Sequence, residues 1–169
     1  MPEVFLISDT HFGHSKILQF EESRLQLGKT IEEHDHSLVE RWNSVVRPKD
    51  TVWHLGDVLF GRDSFKTLGR LNGIKKLVKG NHDTYNVKNY LHYFNDVHGC
   101  YAMDDFLLSH IPMHESQKYR FRGNIHGHMH GKVLPDPFYC NVSCEQINFK
   151  PVPFYMVKQH FEALDGNRK

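Results

Sequence analysis

Short apolar or β-branched runs, each followed at once by small polar residues, mark the first half of this chain. Residues 4–7 (Val-Phe-Leu-Ile) are unbroken in their hydrophobicity, the pattern of a central strand buried on both faces. The run empties into Ser8, Asp9, Thr10, His11, Phe12, Gly13 and His14. Thr30 followed by Glu33 reads as a capping box, and Ile31, Leu38, Trp42, Val45 and Val46 recur at helical spacing, so a helix is predicted over 31–46, ending before Pro48. Residues 51–55 predict a second strand, with Gly56 and Asp57 directly after it. Phe65, Leu68 and Leu71 predict a short helix closed by Gly73. Residues 74–78 predict a third strand that runs into Gly80, Asn81, His82 and Asp83, and Val87, Tyr90, Leu91 and Phe94 suggest another short helix.

From Val97 the pattern turns to short strands, among them 106–109 before His110. Residues 112–123 carry no core pattern and are expected to form a mobile loop. Ile125 leads into His126, Gly127, His128, Met129 and His130. Strands are predicted over 138–143 and 152–157, and a closing helix over 157–164. Strands alternating with helices, then strands alone, predict an α/β sandwich in a single domain over 1–169. Open parallel sheets present their loops, and hence ligands, beyond the carboxyl ends of the strands. Three of the polar motifs stand at three such ends.

Composition narrows the function classes. Twenty-one basic against twenty acidic residues leave a formal charge of +1, which gives no global field for nucleic acid or a membrane surface. The apolar run at the start is too short for a signal peptide and lacks its basic flank. No uncharged stretch approaches the ~18 residues that span a bilayer. Cys100, Cys140 and Cys144 contain no C-x-x-C pair, and an odd count fits a reducing cytoplasm better than a disulfide framework. Cys140, Val142 and Cys144 would share one face of a strand. Histidine is the outlier at fourteen residues, and imidazole is the commonest neutral metal ligand.

Asp9 with His11, Gly56 with Asp57, Gly80 through Asp83, the solitary His110, and Gly127 with His128 and His130 follow one another in fixed order. Seven of these side chains (Asp9, His11, Asp57, Asn81, His110, His128 and His130) would suffice to hold two divalent ions. The arrangement resembles the calcineurin-like metallophosphoesterase superfamily. The longer strings around Asp9 and His14, with Trp42-Asn43 and with residues 53–57, look like its branch of small bacterial and phage phosphoesterases.

That resemblance implies a four-layer α/β/β/α sandwich with a mixed sheet. It also implies that Asp9, His11 and His130 hold a first ion, that Asp57 bridges to a second, and that Asn81, His110 and His128 complete the second. A carboxylate shared by two dications offsets their repulsion, and mixed nitrogen and oxygen donors suit Mn²⁺, favoured here, or Fe, Zn²⁺ or Ni²⁺ better than Ca²⁺. The implied reaction is hydrolysis of a phosphoester by water acidified between the ions, with His82 contacting the phosphate or protonating the leaving oxygen. Asn81, His82, His14 and Arg62 are the candidate substrate contacts. By alternation His126 could point the same way as His128 and His130, but the family pattern uses only the pair after glycine, so His126 reads as a support of that pair or as simply packed rather than as a third histidine ligand.

Protein phosphatases of the superfamily continue the bridging aspartate as Gly-Asp-x-Val-Asp-Arg-Gly, whereas Phe60 stands here where the second aspartate would be. That departure argues against a protein phosphatase. Arg24, Asn43, His34 and His36 are the other polar candidates near the site; the two histidines fall on opposite sides of the predicted helix, with solvation the default for both. Lys118, Arg120 and Arg122, interleaved with Tyr119 and Phe121, would either grip a nucleotide or form a plain exposed loop. The expected activity is a phosphodiesterase acting on a nucleotide or other small phosphoester. The alternatives are a monoesterase, nuclease or nucleotide pyrophosphohydrolase, or a non-catalytic protein-binding scaffold.

Overall fold

A computed structural model describes residues 1–166 of the chain. In order, the elements are β1 (Val4–Ile7), α1 (Ile17–Phe20), α2 (Ile31–Asn43), β2 (Thr51–His54), α3 (Phe65–Leu68), β3 (Ile74–Val78), α4 (Val87–Tyr90), β4 (Asp96–His98), β5 (Tyr101–Met103), β6 (Phe106–Leu108), β7 (Gly123–His126), β8 (Tyr139–Asn141), β9 (Val152–Pro153) and α5 (Phe154–Gly166). Short 3-10 turns occupy Glu22–Gln26, Arg62–Ser64 and Glu115–Tyr119.

The strands form two mixed sheets flanked by helices. The first has the order β4-β3-β2-β1-β9, parallel except for β9, and the second β5-β6-β7-β8, parallel except for β5. Ile7 pairs with His54 and His54 with Leu77, so the loops that follow β1, β2 and β3 leave the first sheet at one edge. In the second sheet Leu108 pairs with Ile125, which brings the segments after β6 and β7 out together. The sheets are stitched at that edge: Ser8 bridges to Ser143, donates its N–H to Val142 O and accepts one from Cys144.

Alternation along β1 and β2 explains why their apolar runs are unbroken. Phe5, Ile7 and Val52 face the helices with Leu38, Val39, Trp42, Leu68 and Tyr90. Leu6, Trp53 and Leu55 face the second sheet with Phe106, Leu108 and Ile125, and α5 adds Phe154, Val157 and Phe161 to that cluster. Each large side chain so buried contributes about 1.5–3 kcal/mol. The Thr30–Glu33 capping box forms as expected and starts α2.

Several expectations are corrected. The helix over 31–46 stops at Asn43, with residues 44–45 in a turn. The strand over 152–157 is only Val152–Pro153, and α5 begins at Phe154 rather than 157. Residues 112–123 contain a 3-10 turn, and Met113 is tied to Asn124 and Tyr139 by hydrogen bonds of 2.8 Å each. Cys144 lies in the helix-side cluster while Cys140 and Val142 belong to the intersheet one, because β8 ends at Asn141 before reaching it. The three thiols are free, and burial pushes those of Cys140 and Cys144 up. His34 is fully buried, contrary to the solvated default, whereas His36 is exposed. Among the described residues, no helix is long and apolar enough to cross a membrane.

Candidate metal centre

The motif loops turn sharply as they leave the strands. Asp9, His11, Asp57, His128 and His130 all adopt left-handed backbone, with φ between 48° and 69°. An L-residue held there costs on the order of 1–3 kcal/mol, and such strain gathers at functional sites. Two motif glycines are needed for space. A Cβ on Gly127 would overlap the Ser8 hydroxyl and the Asp9 carboxylate, and one on Gly80 would overlap the Asp57 carboxylate.

These turns bring six side chains into two triads. The ligand atoms of Asp9, His11 and His130 all lie within 4.8 Å of one another, as do those of Asp57, His110 and His128. Asp57 Oδ2 lies between the triads, 3.8 Å from His11 Nε2 and 3.4 Å from His110 Nε2. Asn81 Oδ1 is 3.0 Å from His110 Nε2, which puts the amide beside the second triad. Asp9 Oδ1 is 3.7 Å from His11 Nε2 and 3.8 Å from His130 Nε2.

Partners fix which atoms remain available. Asp9 Oδ2 accepts from the His128 N–H and the Ser143 hydroxyl, each at 2.9 Å, and Asp57 Oδ1 accepts from the His82 N–H at 2.9 Å. Asp9 Oδ1 and both ring nitrogens of His11 are buried with no hydrogen-bond partner. Leaving such atoms unpaired costs about 1–3 kcal/mol each. Converging carboxylate and imidazole atoms, buried and orphaned, fit a divalent cation.

The electrostatics agree. Burial alone would raise the Asp9 carboxyl, but the imidazoles of His11, His110 and His130 close by hold it well below the usual range. Burial works to raise Asp57 as well, but His110 and the His82 N–H together lower it. Burial pushes His11 and His128 below the ordinary imidazole value, toward the neutral form that ligates metal.

No family model matches the chain. It is 34% identical to an uncharacterized protein from Methanocaldococcus jannaschii, over 96% of this chain and 93% of that one. The gene 66 protein of Mycobacterium phage L5 is 31% identical, over 79% of this chain and 80% of the phage protein. In three dimensions a protein of unknown function from Aquifex aeolicus superimposes with a TM-score of 0.76 at 22% identity, covering 94% of this chain and 99% of that one. The Aquifex likeness shows a shared fold. The archaeal match runs nearly end to end and makes one family of the two chains, and the five ordered motifs converge at one edge of the fold. The chain belongs to the family of that archaeal protein.

The remaining motif residues divide into those at the triads and those elsewhere. His82 stands at the mouth, its side chain 50% exposed and Nε2 4.0 Å from Asp57 Oδ2. His14 stacks on Phe60 with centroids 3.9 Å apart, and Phe60 also packs against His11 and His82. The residue that replaces the phosphatase aspartate is therefore an aromatic wall beside the triads. Burial, with His11 and His82 nearby, pushes His14 down to about 4. Arg62 is exposed on the turn after Gly61. His126 is buried behind the pair, its Nδ1 at 2.8 Å from Gly127 O, and it belongs to neither triad. Asn43 instead uses its amide on Arg70 and Asn72, tying α2 to the turn before β3. Lys118 is engaged by Glu115 and Asp136.

Sequence reasoning missed the supports. Asp83 accepts N–H groups from Asp57, Val58 and Gly80 at 2.8–3.0 Å, clamping two motif loops together. Burial pushes its carboxyl up despite those bonds. Glu145 carried no motif signal, yet it pairs with Arg24 at 2.7 Å and with His130 Nδ1 at 3.2 Å. Arg24 was in view only as a polar candidate, and nothing local marked it as buried.

Proposed function

We propose that the chain is a phosphoester hydrolase dependent on two divalent metal ions, most active on phosphodiesters of a nucleotide or another small phosphoester. The observation that carries this reading is the pair of donor triads that meet at Asp57 Oδ2. Asp9, His11 and His130 would hold the first ion, Asn81, His110 and His128 the second, and Asp57 both. The mixed nitrogen and oxygen donors favour Mn²⁺. Such cations, when bound, supply Lewis acidity and ionise water near neutral pH.

The chain's own groups do the rest. The His82 N–H holds Asp57 Oδ1, which leaves Oδ2 facing both triads. The half-exposed His82 ring is free to meet the phosphate and to give a proton to the departing oxygen. Asn81 and His14 flank the approach, with Phe60 behind His14. Arg62, exposed on its turn, is the remaining proposed phosphate contact. No side-chain nucleophile is required, so no covalent phosphoenzyme is expected. Three free thiols favour a reducing cytoplasm as the compartment.

Mn²⁺-loaded protein should hydrolyse bis(p-nitrophenyl) phosphate faster than p-nitrophenyl phosphate. Asp57→Asn should lower turnover by roughly 10²–10³-fold, the scale of losing one electrostatic stabiliser, and should weaken metal binding. Hydrolysis of the monoester alone would overturn the diester preference. A protein whose metal content ignores Asp57→Asn, and which hydrolyses neither ester, would be a scaffold instead.

A further inference from the structure

Arg24 and Glu145, 121 positions apart, form a buried ion pair directly behind the first triad. The Arg24 side chain is 0% exposed and that of Glu145 4%. Arg24 Nη2 donates to Asp9 O at 2.6 Å and Nη1 to Thr10 O at 3.2 Å, so the guanidinium holds the backbone of the first motif. Its Nε donates to Glu145 Oε1 at 2.7 Å, and the same oxygen is 3.2 Å from His130 Nδ1. His130 Nε2, on the opposite side of the ring, faces Asp9 Oδ1. Glu145 Oε2 is buried with no hydrogen-bond partner, so Oε1 makes the contacts that hold the carboxylate in place.

We infer that Glu145, held by Arg24, is a positioning residue for the first ion. It accepts the His130 Nδ1–H, which fixes the tautomer whose Nε2 lone pair points at Asp9 Oδ1. The inference rests on the two-ion reading above. An imidazole has two nitrogens, and the hydrogen bond at one decides whether the other is a lone pair or an N–H. A carboxylate behind a ligand histidine fixes ring orientation and raises its basicity, and removing such a partner weakens metal binding 10–100-fold. Arg24 makes the arrangement tolerable, because a lone buried carboxylate is strongly unfavourable. One guanidinium thereby couples the loop that carries Asp9 to the carboxylate that aims His130. His110 has no such partner: its Nδ1 meets Leu55 O at 2.7 Å. Only the first ion should therefore depend on Glu145.

Calorimetric titration of the metal-free protein with Mn²⁺, read beside Mn²⁺ EPR, measures both affinities. Glu145→Gln should weaken one ion by about 10–100-fold and leave the other unchanged. His130→Ala should weaken that same ion, and adding Glu145→Gln to His130→Ala should change nothing further. Should Glu145→Gln fail to fold around an unpaired Arg24, Glu145→Asp keeps the charge but falls a methylene short of His130, and it should show the same one-ion loss. Wild-type affinity for both ions, equal weakening of both, or an undiminished effect in the His130→Ala background would overturn the inference. Wild-type protein that binds no Mn²⁺ would defeat the two-ion reading itself, before any variant is compared.

Discussion

Asp9, His11 and His130 are backed by charged side chains, whereas Asp57, His110, His128 and Asn81 are backed mostly by main chain. Behind the first group stand Arg24, Glu145 and the Ser143 hydroxyl. Behind the second, Leu55 O meets His110, and the Asp83 carboxylate gathers the N–H groups of Asp57, Val58 and Gly80. The donors differ as well. The first group has Asp9 to itself and shares Asp57; the second has only the shared carboxylate and a neutral, exposed amide. On the two-ion reading, one fold edge would thus present two unequal sites. The first would then be the more retentive, while the exposed Asn81 leaves the second open to solvent.

The largest effect should come from removing the carboxylate that gathers the main-chain N–H groups behind the second group. Asp83→Ala would leave three backbone N–H groups without their acceptor, at about 1–3 kcal/mol each. Urea unfolding of the metal-free protein should show a loss of about 3 kcal/mol or more on that scale; a loss under about 1 kcal/mol would mean that the clamp matters little. Next, Asn81→Ala should weaken the looser of two Mn²⁺ ions by at least the ~10–100-fold typical of losing even an outer partner. The tighter ion should not change, and chelator titration should strip the looser ion first. Loss of the tighter ion instead would reverse the ranking of the sites.

A smaller effect sharpens the boundary between the sites. His54 is buried beneath both, with Nε2 2.9 Å from Thr10 Oγ1 and Nδ1 accepting from the Gly56 N–H at 3.2 Å. Thr10 donates its own proton to Val58 O, so the ring is neutral with its proton on Nε2. Burial pushes its pKa down to about 3 from 6.5. Above 6.5 both folded and unfolded chains carry it neutral. As pH falls from 6.5 toward about 3, the unfolded chain takes up a proton that the folded chain refuses. This one group then lowers stability by about 1.4 kcal/mol per pH unit. Unfolding of the metal-free His54→Gln variant between pH 7 and pH 5 should be flatter than wild type by that slope; parallel curves would contradict the assignment.

Much of the edge was legible because ligands that follow a strand directly sit where the strand leaves them. Asp9, Asp57 and Asn81 come within a few residues of β1, β2 and β3, and the parallel register does the rest. The supports were illegible for the opposite reason. Glu145 and Arg24 matter through a contact 121 positions long, and Asp83 reads as one more acid in a polar loop. His34, assumed solvated, is drawn inward by Arg24 and Asp35, which no helical periodicity reveals. At the far end, the two residues of β9 gave no alternation long enough to separate them from α5.

The central claim is that one carboxylate joins two metal sites, and crystals grown with excess Mn²⁺ test it most directly through an anomalous difference map. The account predicts two peaks, one among Asp9, His11 and His130 and one among Asn81, His110 and His128, with Asp57 touching both. A single peak, or none, at this edge of the fold would contradict it.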